Sequence, residues 1–140
     1  MSKVIILSIK PEFSDQIFEG TKKIELRKSK PNVGKDDLVI IYNTIPDKAI
    51  VGICKITEII QSTPDEIWNN YSNDLGIDKD RYFQYYFGRD KAVGLKIDSF
   101  RRFKKKISLD KIREFIPSFS PPQTFKYYNR DSLMGIFTLG

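Results

Sequence analysis

The chain opens with an unbroken apolar run rich in β-branched residues, Val4–Ile9. A run of that length predicts a strand buried on both faces. Lys10-Pro11 interrupts it, and Pro11 suits the first turn of a helix with Phe13, Ile17 and Phe18 on its apolar side. Gly20 then supplies a helix stop. Over Lys22–Lys28 the pattern alternates. Ile24 and Leu26 share one face of a predicted second strand, and Lys23, Glu25 and Arg27 share the other. Turn chemistry over residues 32–37 leads into a third strand, Leu38–Tyr42, and Pro46-Asp47-Lys48 turns the chain into a long fourth strand, Ala49–Ile60. Gly52 inside that strand marks a bend or bulge.

Thr63-Pro64-Asp65-Glu66 is a helix start: Thr63 as N-cap, Pro64 at the first helical position, Glu66 completing a capping box. Asp78 caps another helix that runs through Arg81–Phe87 to Gly88. Ala92–Ile97 reads as a fifth strand leading into the basic run Arg101-Arg102-Phe103-Lys104-Lys105-Lys106. That run is either a solvated turn or a cationic track for a nucleic-acid backbone, with Phe103 available to stack on a base. A short helix follows Ser108, then a Pro- and aromatic-rich stretch, Ile116–Asn129, that cannot be a regular helix, and Gly135–Gly140 reads as a last strand. No repeat or linker divides the chain. The order of elements predicts a single α+β domain over residues 1–140 built on a strongly curved sheet or barrel.

Composition narrows the chemistry. At 140 residues the chain can bury about two-thirds of its unfolded surface without metal or disulfide. Its 24 Lys plus Arg against 18 Asp plus Glu give a net charge of +6, which fits an anionic partner, nucleic acid first. The absence of His excludes Ser-His-Asp and Cys-His catalysis and His-ligated zinc. Any catalysis must run on carboxylate, Lys, Tyr, a hydroxyl or the thiol of Cys54. That single cysteine fits a reducing cytoplasm, and the apolar start is too short to span a membrane. The acids Asp74, Asp78 and Asp80 do not follow the calcium-loop pattern, and Gly34-Lys35 does not complete a phosphate-binding loop. No metal, no cofactor and no membrane partner are expected.

The densest chemical signal is the stretch EGTKKIELRKSK, Glu19 to Lys30, in which one acid, Glu25, sits among cations. On the residues alone, Glu25 merely separates two exposed cations on a strand. In the other reading the face is a cleft floor, where Arg27 meets a phosphate or base edge while Glu25 orients it or accepts from a base amino group. Lys22 stands at the strand entrance beside Gly20.

Four blocks in order resemble the ASCH domain, a family of the PUA-like group of small β-barrels: LSIKPEFSDQIFEGTKKIELRKS, AIVGICKITEIIQSTPDEIW, DKAVGLKIDSFRRF and PPQTFKYYN. The resemblance covers Val4 to about Asn129. Its most specific element is Gly-x-Lys-x-x-Glu-x-Arg, met by Gly20, Lys22, Glu25 and Arg27. It implies a PUA-like curved barrel of about five to six strands with flanking helices, and a basic cleft beside the first helix. It also implies an RNA or nucleotide-like ligand and a regulatory place in transcription or translation. The binding residues expected on this basis are Lys22, Lys23, Glu25, Arg27, Arg101, Arg102, Lys104 and Gln123, with Lys126 and Arg130 extending the basic surface. One of the helix aromatics, from Trp68 to Phe87, lines the pocket, and Pro121, Pro122, Gln123 and Phe125 close the barrel beside it.

The alternative implied by the same resemblance is an enzyme, a ribonuclease or an amidohydrolase acting on modified nucleosides, using Lys22 and Glu25. The amidohydrolase-like branch pairs such a lysine with a threonine three positions on; here that position is Glu25, which counts against that chemistry. The acid that branch also needs would fall near Asn73 or Asp74. A protein-interaction domain without a ligand is the third reading, and oligomeric state is left open.

Overall fold

The computed structural model describes residues 3–137. In chain order it comprises β1 (Val4–Ile9), α1 (Pro11–Glu19), β2 (Ile24–Arg27), β3 (Leu38–Asn43), β4 (Ala49–Ser62) and α2 (Pro64–Tyr71). There follow α3 (Lys79–Tyr85), β5 (Ala92–Ser108), α4 (Leu109–Phe115), β6 (Phe125–Tyr128) and α5 (Met134–Phe137). The strands form one six-stranded sheet in the order β2-β5-β4-β3-β1-β6, curled into a half-barrel. Only β1 and β3 run parallel; the other pairings are antiparallel.

β1 is buried along its whole length because it packs on both sides. Ile5, Leu7 and Ile9 join Val39, Ile41, Val93 and Leu95 under α1. Val4 and Ile6 join Ile40, Tyr42 and Ile50 under α4 and the C-terminal segment. A third cluster sets Ile67, Tyr82 and Tyr86 against Ile24 and Leu26 of β2. α1 ends as expected at Gly20, whose left-handed φ of 85° lets its N–H reach back to Gln16 and Ile17 carbonyls. Its buried Ser14 hydroxyl donates to Asn43 Oδ1 at 2.6 Å, tying the helix to the end of β3. The caps on α2 and α3 also form, with Thr63 Oγ1 accepting from Glu66 N–H and Asp78 Oδ1 from Arg81 N–H. The Glu66 carboxylate turns to the Ser62 hydroxyl, so only half of the expected capping box closes.

Three expectations change. The basic run is neither a turn nor a base-stacking site: β5 continues through it for 17 residues, paired with β4. Phe103 and Ile107 point inward and are buried in the core under α4, so Phe103 is unavailable to a ligand. Lys23 lies outside β2 and is exposed, its N–H donating to Asp74 O and its carbonyl accepting from Ile97 N–H. At the C-terminus Gly135 belongs to α5 rather than to a strand, and residues 138–140 of that expected strand lie outside the described residues.

The register shift that frees the bulge on β4 falls between Ile50 and Gly52, beside the predicted glycine. A Cβ on Gly52 would stand 2.5 Å from both the Arg101 carbonyl oxygen and the Phe18 ring. One on Gly34 would meet nothing closer than 3.8 Å. Gly52→Ala is therefore expected to lower stability by about 1–3 kcal/mol, while Gly34→Ala stays near neutral. Urea unfolding of the two variants beside the wild type checks this.

Candidate functional site

A cavity of about 780 Å³ opens where the end of β1, α1, β2, α3 and the segment before β6 meet. Its wall includes Ser8, Phe13, Lys22, Glu25, Arg27, Lys28, Thr44, Arg81, Tyr85, Gln123 and Thr124. Counting Lys10 and Asp80 as well, the lining carries five cationic side chains and two acidic ones.

Local chain geometry delivers the central three. After the left-handed Gly20, the N–H groups of Thr21 and Lys22 both donate to Gln16 O, which turns the chain sharply and sends Lys22 into the cavity wall. Antiparallel pairing with β5 then puts Glu25 opposite Leu95 and Arg27 opposite Val93, on the cavity side of β2. Leu26 and Ile24 face the helix aromatics instead.

Lys22 is 3% exposed. Its Nζ donates to Leu75 O at 2.5 Å, sits 3.8 Å from Glu25 Oε1, and lies 5.0 Å from the centroid of the Phe13 ring. Burial pushes its pKa below the usual 10.5; Glu25 pulls it back up, and the nearby Arg27 charge pushes it further down. Arg27 Nη2 donates to Glu25 Oε2 at 2.7 Å and to Ser8 O at 2.9 Å, and Nη1 donates to Thr124 O at 3.0 Å. Its Nε is buried with no hydrogen-bond partner among the described residues. Tyr86 fixes the same strand from behind, its hydroxyl donating to Arg27 O at 2.9 Å. Cys54 is buried in the core and its thiol is pushed up to about 12, chiefly by desolvation and further by the Glu25 charge, so it supplies no thiolate at neutral pH.

The structure thus gathers Lys22, Glu25, Arg27 and Gln123 around one cavity. It leaves out Lys23, and it leaves out Arg101, Arg102 and Lys104. These last three lie on β5, and Arg102 pairs with Asp15 of α1 at 3.2 Å. Asp15 and Phe18 point to the opposite side of α1 from Phe13, so the helix stands between that basic strand and the cavity. Among the crowded helix aromatics, Tyr85 is the one lining the cavity; Tyr82 and Tyr86 are core. Sequence reasoning missed Phe13, Lys28, Thr44 and Arg81 as wall residues. Phe13 carried a signal only as part of an apolar helix stripe, and Arg81 reaches the site by a bidentate pair with Glu12 of α1, at 2.8 and 3.0 Å. Asp74, the other acid considered, serves through its backbone carbonyl. Among the described residues no group of three or more His, Cys, Asp or Glu side chains converges as metal ligands, and no helix is long and apolar enough to cross a membrane.

Two outcomes follow from this geometry. Arg27→Ala strands a buried carboxylate and two carbonyls and is expected to cost about 3–5 kcal/mol. Arg102→Ala breaks an exposed pair and is expected to cost about 1 kcal/mol at most; chemical denaturation of both compares them. For Lys22 the folded pKa lies below the unfolded one, so the unfolded chain holds more protons between that lowered value and 10.5, and stability contributed here rises with pH across that window. Lys22→Met lacks this term. Wild type should therefore gain stability relative to the variant as pH is raised from 7 toward 10, measured by urea unfolding at each pH.

The family profile of the ASCH domain matches residues 7–118. An ASCH domain-containing ribonuclease of Zymomonas mobilis is 26% identical over 137 residues, spanning 98% of this chain and 92% of that protein. The crystal structure of ASCH from Zymomonas mobilis superposes with a TM-score of 0.92 at 26% identity, covering 98% of this chain and 95% of the other. A large ribosomal subunit protein uL22 of Ureaplasma parvum is 29% identical over 94 residues, 67% of this chain but 30% of that protein. Human THYN1, solved in complex with 5-methylcytosine-containing DNA, shares the fold at a TM-score of 0.58 and 11% identity, over 99% of this chain and 97% of that one. The half-barrel is of the PUA-like kind, and this chain belongs to the ASCH domain family.

Proposed function

We propose that the cavity beside α1 is a binding site for RNA, taking one nucleotide unit into its wall of Lys22, Glu25, Tyr85 and Gln123. The observation that carries this reading is the burial of Lys22 and the Glu25–Arg27 pair at the edge of a cavity of about 780 Å³. Buried charges of this kind are a poor means of stabilising a fold, and perturbed ionisable groups lining a cleft are what a ligand site needs. The net charge of +6 agrees with an anionic ligand. In this reading Lys22 meets a phosphate oxygen, and Glu25 accepts from a base amino or ribose hydroxyl group. Arg27 holds Glu25 in place, since its Nη groups already serve two carbonyls and that carboxylate. Lys23, Arg101, Arg102 and Lys104 contribute outside the cavity, as exposed cations for flanking phosphates.

The full-length relative named a ribonuclease favours a second reading, cleavage of the bound strand. Without imidazole, the chemistry open to this site is attack of a ribose 2′-oxygen on the adjacent phosphorus with departure of the 5′-oxygen. Glu25 would take the 2′-hydroxyl proton, the Lys22 ammonium would stabilise charge on the phosphate, and the departing 5′-oxygen would take its proton from water. The products would be a 2′,3′-cyclic phosphate and a 5′-hydroxyl. Binding without turnover is the form that a regulatory role in transcription or translation would take.

The test is a titration of labelled short single- and double-stranded RNA at low and physiological salt, for wild type and Lys22→Met, with the products resolved afterwards. Binding that survives physiological salt and weakens in the variant is expected. Binding that is purely salt-sensitive and indifferent to Lys22 would sink the cavity as the site. If cyclic-phosphate ends accumulate, Glu25→Gln should keep binding and lose rate by orders of magnitude. The rate should then fall as pH rises through the lowered Lys22 pKa, since the charged ammonium is the working form.

A further inference from the structure

Phe87 is the most exposed large hydrophobic side chain among the described residues, at 83%. A single exposed phenylalanine is ordinary on a protein surface; its position is not. The side of α3 that lines the cavity carries Asp80, Arg81 and Gln84. Phe87 lies in the turn after α3, two residues beyond Tyr85 of the cavity wall and three beyond Gln84, with its N–H donating to Gln84 O at 3.3 Å. It therefore stands next to the wall, within ~7 Å of Tyr85 along the chain.

The turn that presents the ring is held from beneath. Its neighbour Tyr86 is buried, and the Tyr86 hydroxyl is bound to the carbonyl of Arg27. Arg89 N–H closes the turn on Tyr86 O at 2.9 Å, and Gly88 takes the left-handed φ of 75° that ends it. A Cβ on Gly88 would meet nothing within 4 Å among the described residues. The exposed Arg89, Asp90 and Lys91 follow it, and Lys28 of the cavity wall lies over the ring of Tyr85, 4.5 Å from its centroid. An open aromatic face on a rigid turn, bordered by cations and leading out of a nucleotide-sized cavity, has the chemistry of a single-strand stacking platform.

We infer that Phe87 stacks on the base next to the nucleotide held in the cavity, so that the protein engages an unpaired strand across at least two consecutive nucleotides. This rests on the cavity being the RNA site. Base stacking selects single-stranded RNA, because a paired strand does not offer a free base face to the ring.

The experiment compares a labelled six-nucleotide cytidine oligomer, whose bases keep the amino group offered to Glu25, with cytidine monophosphate. The oligomer carries 2′-fluoro riboses, so that no 2′-oxygen can attack the backbone. Wild type, Phe87→Ala, Phe87→Leu, Phe87→Trp and Lys22→Met are titrated with both. Phe87→Ala and Phe87→Leu are expected to weaken oligomer binding by roughly 5- to 100-fold and to leave the monophosphate unchanged. Phe87→Trp should restore oligomer affinity and add a fluorescence quench seen with the oligomer and not with the monophosphate. Oligomer affinity unchanged in Phe87→Ala would overturn the inference, as would Phe87→Leu behaving like wild type, which would mean greasy cover rather than stacking. Wild type binding neither probe would remove both this inference and the cavity reading. Oligomer binding that depends on Phe87 but not on Lys22 would overturn the cavity reading and the two-nucleotide arrangement built on it, while keeping Phe87 as a stacking residue. The side chain is too exposed for these variants to disturb folding, and their unfolding midpoints should match wild type.

Discussion

The structure depends on how Arg27 is spent. A curled sheet with β2 at one edge and β6 at the other leaves two rows of backbone groups without a ladder between them. Arg27 crosses that gap, from β2 to the carbonyl of Ser8 in β1 and to that of Thr124 just before β6. A guanidinium suits this because it is planar, always charged and carries several fixed donors. Its charge must be answered in the same buried space, and Glu25 answers it at 2.7 Å. Closing the half-barrel and creating a buried acid at the cavity wall are thus one event. The carboxylate in the basic stretch is neither a spacer between exposed cations nor a free group.

Lys22 completes the arrangement at a cost. Its ammonium is desolvated, with one close carbonyl partner and a carboxylate 3.8 Å away. A fold selected for stability alone would place an apolar side chain there. The strain of keeping three ionisable groups together is carried by the surrounding frame, where β1 is clamped between two cores and Tyr86 ties α3 to β2. The cavity is therefore rigid on the sheet side. On the helix side α1 and α3 are bridged by the exposed Arg81–Glu12 pair and by Arg81 over the Phe13 ring.

The helix α1 also decides which basic residues can act together. Phe13 faces the cavity, while Asp15 and Phe18 face β5. A strand rich in Arg and Lys lies close in space yet on the far side of that helix. Density of charge along the chain is consequently a weak guide to the site, and three cations of the basic run fall outside the cavity for a reason that is purely geometric.

Much of the molecule was legible from local rules. The all-apolar β1, the glycine stop of α1, the Thr63 and Asp78 caps and the alternation of Glu25 and Arg27 each follow from short-range sterics and hydrogen bonding, which a few neighbouring residues determine. The pattern around Gly20, Lys22, Glu25 and Arg27 also singled out the stretch whose Lys22, Glu25 and Arg27 line the cavity. What tertiary structure alone decided was the length of β5 and the burial of Phe103, because a run of five cations becomes a strand only when β4 supplies its hydrogen bonds. It likewise separated Lys23 from Lys22, leaving Lys22 in the cluster and Lys23 exposed, since the turn after Gly20, not strand alternation, orients those two side chains. And it brought Ser8, Thr124 and Tyr85 to the same cavity as β2. Their separations along the chain run to about a hundred residues, and no local pattern encodes a contact that only the curl of the sheet creates.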